Sequence, residues 1–232
     1  MRIYPLMGKV QMQRTTMAER RSPAILSAAG CVALLCGIAL HAYCQANAHP
    51  ATPGTAAAAA VAYTPTYSRS GDLIPPQNYR RWVYLTSGLD MSYSDSSDGA
   101  SRFDNVFVTP AAYAQFLSTG HWPDKTVMVL EIRAAAGKGS INKHGHYQTG
   151  DVMGMEVHVR DTKRFPGGWA FFDVESKDKA TLFPRSAACY SCHEAHGAVD
   201  TTFVQFYPTL LPVATRKSTL SAAFRAESAA QK

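Results

Sequence analysis

The chain has 232 residues, of which 46% are hydrophobic and 17% charged, a composition that excludes a disordered chain and fits one folded domain of ordinary size. Its formal net charge of +6 arises mostly in residues 1–48, which hold five basic side chains and one acidic one. The remaining residues carry 18 basic and 16 acidic side chains, and this near-neutral balance gives no electrostatic reason to expect a nucleic-acid partner.

Residues 1–48 are predicted to be a signal peptide or an N-terminal anchor. Arg20 and Arg21 precede an apolar run over residues 24–40, and residues 46–48 (ANA) have the small-x-small pattern of a signal peptidase site. We therefore expect export to the periplasm. The alternative is an uncleaved anchor in the inner membrane, because an apolar run of about 17 residues is nearly long enough to span a bilayer.

The rest of the chain divides by composition into three parts. Residues 49–69 are rich in Ala and Pro and predict a linker without a core of its own. A single domain is predicted over residues 70–215, and a C-terminal tail over residues 216–232.

Within the domain, apolar runs and alternation predict strands at 82–86, 103–108, 126–132, 152–159 and 168–174. Thr109 as N-cap and Pro110 at the first helical position predict a helix that continues to about Leu117 and ends at Gly120. Residues 134–150 are predicted to be a loop, and helices follow from about Ala187 onward. The prediction is an α+β, mainly β domain with an antiparallel sheet packed with helices.

Alternation in the fourth predicted strand also assigns its faces. Gly154, Glu156 and His158 share one face, whereas Met155 and Val157 lie on the other.

Cys189, Cys192 and His193 form the sequence C-x-x-C-H, the attachment signature of c-type haem. Two thiols three residues apart lie on one side of a helical turn, so they can bond the two vinyl groups on one edge of the porphyrin, while the histidine binds the iron. We therefore predict one covalent haem c, with His193 as its iron ligand. Attachment takes place outside the cytoplasm, which agrees with an exported chain.

Two other uses of these residues stay open. Cys189 and Cys192 can form a disulfide in an oxidising compartment, although a redox C-x-x-C usually opens a helix in a βαβ unit, which is not predicted here. A zinc site would draw on Cys189, Cys192, His193 and His196, but two adjacent ligands such as Cys192 and His193 reach one tetrahedral ion with difficulty.

The far side of the iron has no obvious protein ligand. No Met follows Met155, and His196 lies one turn from His193, on the same side of the haem. We therefore predict a five-coordinate iron that is open to a small molecule. The upstream candidates for a far ligand, each more simply interpreted as a core or surface residue, are Met91, Met128, Met153, Met155, His144, His146 and His158.

Five segments resemble the cytochrome P-460 and cytochrome c′-beta family, in order over about residues 70–215. The resemblance implies an antiparallel β-sheet fold, a haem-bearing helix near the C-terminus, a homodimer, and His193 as the proximal ligand. The segments are 78–83 (NYRRWV), 105–113 (NVFVTPAAY), 120–131 (GHWPDKTVMVLE), 164–172 (RFPGGWAFF) and 189–210 (CYSCHEAHGAVDTTFVQFYPTL).

The family has two functional branches. In the cytochrome P-460 branch a lysine is cross-linked to the haem and the enzyme oxidises hydroxylamine, whereas the c′-beta branch lacks the cross-link and binds nitric oxide and similar gases in an apolar pocket. The family's lysine lies in a segment like Thr-Val-x-Val-Lys-Glu, and Leu130 occupies that position here. The resemblance therefore implies the c′-beta branch. Lys125, Lys138 and Lys143 do not match the motif and are interpreted as surface charges.

The expected function is that of an exported mono-haem c-type cytochrome that binds nitric oxide or a similar small ligand. No residue is assigned as catalytic, and Asp173 and Glu175 are only loose candidates for a general base. The alternatives are a cytochrome P-460-type oxidoreductase acting on hydroxylamine or nitric oxide, and an electron-transfer cytochrome c with a redox partner. The distal pocket is expected to be shaped by Leu130, Met128, Phe103, Phe107 and Phe171.

Overall fold

A computed structural model describes residues 63–91 and 99–231. The predicted signal segment and most of the predicted linker lie outside these residues. Six strands form one sheet in which each strand pairs antiparallel with its neighbours in sequence. The strands are β1 (Val83–Leu89), β2 (Arg102–Val108), β3 (Val127–Ala136), β4 (Tyr147–Arg160), β5 (Trp169–Ser176) and β6 (Lys179–Leu182).

Four α-helices accompany the sheet in the described residues, three of them after the last strand. The helices are α1 (Pro110–Thr119), α2 (Ala188–His196), α3 (Leu211–Lys217) and α4 (Ala222–Ala230). The predicted α+β, mainly β class is therefore confirmed. Helix α2 carries the C-x-x-C-H sequence, and α4 lies within the predicted C-terminal tail. None of the helices in this part of the chain has the length and hydrophobicity of a membrane span.

Helix α1 has the bounds that its sequence signals indicate. Thr109 takes the N-cap position and Pro110 the first helical position, although the Thr109 side chain accepts no capping hydrogen bond. Gly120 ends the helix in the left-handed region, with φ 77°, and its N–H donates to the Phe116 carbonyl.

The predicted loop at 134–150 is confirmed over residues 137–146 and wrong at both ends, since β3 extends to Ala136 and β4 begins at Tyr147. These two residues pair with each other near the end of a long hairpin. The hairpin extends past the core, so its residues alternate little in polarity, and hydrogen bonds between the two strands rather than burial stabilise it. The sequence also missed β6, a four-residue strand with Ala180 as its one buried residue.

Apolar residues alternate along the strands, so the sheet has a core on each face. The first face packs Val127, Val129 and Val157 against the N-terminal segment of the described chain, including Leu73 and Tyr79. On the second face Met128 joins a core with α1, α3 and the segment that follows α2, with these buried members: Val108, Phe116, Trp122, Val204, Leu210 and Val213.

Candidate functional site

A cavity of about 620 Å³ lies on the second face of the sheet. One wall consists of alternate residues of β1 to β4, and the opposite wall consists of His193 at α2 and the segment after it. The sheet wall contains Thr86, Gly88, Arg102, Asp104, Val106, Met128, Leu130, Ile132, Glu156 and His158. The opposite wall contains His193, Thr202, Phe203, Phe206 and Tyr207. The volume of the cavity is in the range of cofactor sites.

His193 is held in one orientation at this cavity. Its Nδ1–H donates to the backbone carbonyl of Thr201 over 2.8 Å, which leaves Nε2 as the nitrogen available to a metal. Burial, followed by the charge of His158, lowers the pKa of His193 to about 4. The imidazole is therefore neutral at physiological pH, the form that ligates metals.

Aromatic rings confine the His193 imidazole from several sides. The ring of Phe203 lies 4.2 Å from that of His193 between centroids, and the ring of Phe171 lies 4.7 Å from it. His158 lies 5.3 Å away and donates from Nε2 to Glu156 over 3.3 Å. Together these contacts limit rotation of the proposed ligand.

Cys189 and Cys192 belong to the same short helix as His193. Both are half-buried free thiols that form no disulfide with each other, and burial raises the pKa of both. In residues 63–91 and 99–231 no three His, Cys, Asp or Glu side chains lie close enough together to hold one metal ion. A large cavity lined by a neutral imidazole, with two free thiols on the same helix, fits a haem.

The structure brings two of the five residues expected at the distal pocket to the cavity wall, Met128 and Leu130. In β2 it is Arg102, Asp104 and Val106 that line the cavity, so Phe103 and Phe107 belong to the opposite face of the strand. Phe107 packs there against the rings of Tyr79 and Tyr84. Phe171 is buried and packs against His193 and Tyr190 without lining the cavity.

The cavity also contains carboxylates that sequence analysis did not assign to it, Asp90, Asp104 and Glu156. Burial raises the pKa of Asp104, and the nearby charge of Arg102 opposes that effect. Burial also opposes ionisation of Glu156, but the hydrogen bond and charge of His158 outweigh it and lower the pKa of Glu156. The expected apolar pocket is thus an apolar strip beside charged groups. Alternation in β4 placed Glu156 and His158 on one face, and that signal could have identified both.

The remaining residues that the sequence suggested as far ligands, general bases or surface lysines lie in several parts of the structure. Of the candidate far ligands, Met91, Met128 and His158 line the cavity, whereas Met155 packs in the core of the first face. The candidates that lie outside the cavity on the surface are Met153, His144, His146, Asp173, Glu175, Lys138 and Lys143. Lys125 forms an ion pair with Asp161, away from the cavity.

Comparison with known proteins identifies the family. The family model described as Cytochrome P460 matches residues 76–204, which is more than half of the chain. The chain therefore belongs to the cytochrome P460 family, as the resemblance indicated, and is a haem protein of that kind. A search of curated proteins found no match.

Proposed function

We propose that this member of the cytochrome P460 family is an exported mono-haem c-type cytochrome whose five-coordinate iron binds nitric oxide or a similar small ligand. The observation that carries the proposal is the position of Leu130, whose side chain lines the cavity opposite His193. This is the position of the cross-linking lysine in the hydroxylamine-oxidising branch. Among the described residues that line the cavity there is no lysine, so no amine stands ready to make that bond.

Covalent attachment is supported by the two thiols. Cys189 and Cys192 lie three residues apart on α2 and are free, as thioether formation requires. His193 would hold the iron through Nε2, because Nδ1 is engaged by Thr201. With haem bound, the iron supplies an open coordination position of the kind that binds diatomic gases.

The protein's own contribution is to orient His193, the iron ligand, and to shield the cavity from water. Phe203 and Phe171 fix the plane of the His193 imidazole through ring contacts. Val106, Met128 and Leu130 form an apolar strip on the sheet wall that suits a small uncharged molecule better than a charged one. A diatomic gas therefore matches this part of the wall.

Export to the periplasm, a homodimer and a redox partner cytochrome belong to the same proposal. The first is supported by the N-terminal sequence and by the need to attach haem c outside the cytoplasm. The alternative is that the N-terminal segment stays as an anchor in the inner membrane, with the domain on the periplasmic side.

The decisive measurement is the absorption spectrum of the reduced protein before and after nitric oxide is added. An ordinary Soret position with a high-spin spectrum that changes on stoichiometric addition of nitric oxide would support the proposal. A broad, strongly red-shifted Soret band would reveal a haem–lysine cross-link and would overturn it. Haem released by acidic acetone would show that the attachment is not covalent.

A second candidate function is oxidation of hydroxylamine or nitric oxide. It is favoured by Glu156 and Asp104, because carboxylates in a haem cavity can accept protons from a substrate. Steady turnover of hydroxylamine with an electron acceptor would select this candidate. An electron-transfer cytochrome would instead give a low-spin spectrum, with Met91 or Met128 as the sixth ligand.

A further inference from the structure

The residues that follow α2 form a tight turn with an unusual backbone. In this turn, residues 199–202, the N–H of Thr202 donates to the carbonyl of Val199 over 2.8 Å. The two central residues both have positive φ, 47° for Asp200 and 58° for Thr201. Such turns normally use Asn-Gly or Asp-Gly, and a β-branched threonine at this φ is a true outlier. Strain of this kind persists only where surrounding contacts impose it, and it concentrates at functional sites.

The strained turn presents an acceptor to His193. The carbonyl of Thr201 receives the Nδ1–H of His193 over 2.8 Å. Gly197 makes this approach possible, since a Cβ there would lie 2.6 Å from the carbonyl carbon of Thr201 and 2.6 Å from the backbone oxygen of His193. The backbone that follows His193 is therefore shaped to allow this one hydrogen bond.

Asp200 holds the turn to the sheet and to the end of α1. Its Oδ2 accepts the backbone N–H of Trp122 over 2.8 Å and lies 3.2 Å from Nη1 of Arg160. Its Oδ1 accepts from Nδ1 of His121 over 3.0 Å. Only 16% of the Asp200 side chain is exposed, so these contacts to its carboxylate are partly shielded from water.

Trp122 binds the turn at a second point. Its indole Nε1–H donates to Oγ1 of Thr202 over 2.8 Å, and that hydroxyl donates to the carbonyl of Val199. Trp122 is 2% exposed and belongs to the core of the second face. A rigid core residue thus holds the turn at two points, at Asp200 and at Thr202, on either side of Thr201.

We propose that Asp200 is a positioning residue for the proximal ligand: it holds the Thr201 carbonyl against His193 and thereby sets the strength of the His193–iron bond. The inference rests on the proposed role of His193 as the haem ligand. A hydrogen bond accepted from the second ring nitrogen makes a ligating histidine more basic, and loss of such partners typically weakens metal binding by about 10–100-fold. Loss of the Asp200 contacts would let the strained turn relax and withdraw its carbonyl.

The test compares Asp200→Asn and Asp200→Ala with the parent holoprotein. The readouts are the iron–histidine stretching frequency by resonance Raman, the reduction potential, and the fraction of protein that releases His193 when nitric oxide is added. We expect a lower stretching frequency, a higher potential, and about tenfold easier release of His193. Asp200→Asn keeps the size of the side chain, so it still tests the proposal if Asp200→Ala does not fold.

Asp124→Ala is the matched control. Asp124 is a carboxylate in the same loop as Trp122, and it accepts from the backbone N–H of Thr162 over 2.8 Å without touching the turn 199–202. It should lower the unfolding temperature to a similar extent and leave all three haem readouts unchanged. Asp200 variants that lose stability but keep the parent stretching frequency and potential would overturn the inference. A parent protein with no iron–histidine band, or with the same band after His193→Ala, would instead overturn the assignment of His193 and hence the proposed function.

Discussion

Leu130 and Glu156 are direct partners across β3 and β4, and both side chains line the cavity that His193 faces. On the sheet wall of the cavity, an apolar side chain that has no nucleophilic atom thus lies beside an ionisable carboxylate. The first favours a site that binds a gas, and the second is a group that an oxidising enzyme would use. The two residues can be changed separately, which separates the two candidate functions.

Leu130→Ala should speed ligand entry without changing the spin state. The substitution removes three carbon atoms from the cavity wall, so we expect the association rate of carbon monoxide to rise by about tenfold. Stability should fall by about 1–3 kcal/mol, less than for a fully packed leucine, because the side chain already borders open space. Flash photolysis measures the rate. Leu182→Ala, at an exposed position of β6, is the control and should leave the rate unchanged.

Glu156→Gln distinguishes gas binding from turnover. The amide keeps the size of the side chain but cannot accept a proton from a substrate. If the protein only binds nitric oxide, affinity should change by less than about threefold, since a neutral diatomic ligand gains little from the charge. A loss of hydroxylamine oxidation of about a hundredfold in this variant would contradict gas binding as the sole function, because general base catalysis is worth about that much. Asp178→Asn, an exposed carboxylate between β5 and β6, is the control.

The sequence predicts a residue of this site only where a local motif or a fixed spacing identifies that residue. Cys189, Cys192 and His193 follow from one local motif, and Leu130 follows from a segment with fixed spacing. In β2, however, apolar residues occur at 103, 106, 107 and 108, so both faces look apolar and periodicity does not choose between them. The register with β3 decides, and it places Asp104 rather than Phe103 at the cavity.

The turn 199–202 shows a different limit. Its central residues, Asp200 and Thr201, do not match the glycine-rich signature of such a turn. The conformation is imposed by Trp122 and Arg160, which are distant in sequence. Only the folded chain brings these donors to Asp200, so local sequence gives no sign that Thr201 would serve His193.

A carboxylate on the first face of the sheet predicts how stability varies with pH. Glu131 is 2% exposed and accepts from Tyr79, Arg80 and Arg133. Burial opposes its ionisation, but these hydrogen bonds outweigh burial and lower the pKa of Glu131 below its ordinary value of 4.5. The stabilisation is therefore complete above about pH 4.5 and is lost as pH falls through the lower pKa of the folded state.

Glu131→Gln should accordingly cost about 1–3 kcal/mol at neutral pH, since it replaces hydrogen bonds to a charged acceptor by weaker ones. The difference from the parent should shrink as the pH falls from 4.5 through the lower pKa of the folded parent, because the parent carboxyl then loses its charge as well. Denaturant unfolding at several pH values measures it. Glu175→Gln, at an exposed pair with Lys179, should change stability far less at every pH. An equal difference at pH 3 and pH 7 would contradict the assigned pKa direction.

Cys192→Ala tests the mode of haem attachment. One thioether to Cys189 would remain, so the haem should stay covalently bound while one vinyl group stays conjugated with the ring. We expect the α band of the pyridine haemochrome to move to longer wavelength, and the double variant with Cys189→Ala to release its haem into acidic acetone. Ser191→Ala, at the exposed position between the two cysteines, should keep the parent band. A parent band already at the position of unmodified haem would contradict a c-type attachment.

Gly197→Ala should affect both stability and the proximal ligand. The added Cβ would lie 2.6 Å from backbone atoms at His193 and at Thr201, and neither can move like a flexible side chain. We expect a loss of about 1–3 kcal/mol from overpacking, together with a lower iron–histidine stretching frequency as the Thr201 carbonyl is pushed away. Gly150→Ala is the control, because a Cβ at that position meets no atom within 4 Å. If Gly197→Ala loses stability while the frequency stays at the parent value, the carbonyl of Thr201 does not govern the bond between His193 and iron, and the close approach at Gly197 serves packing alone.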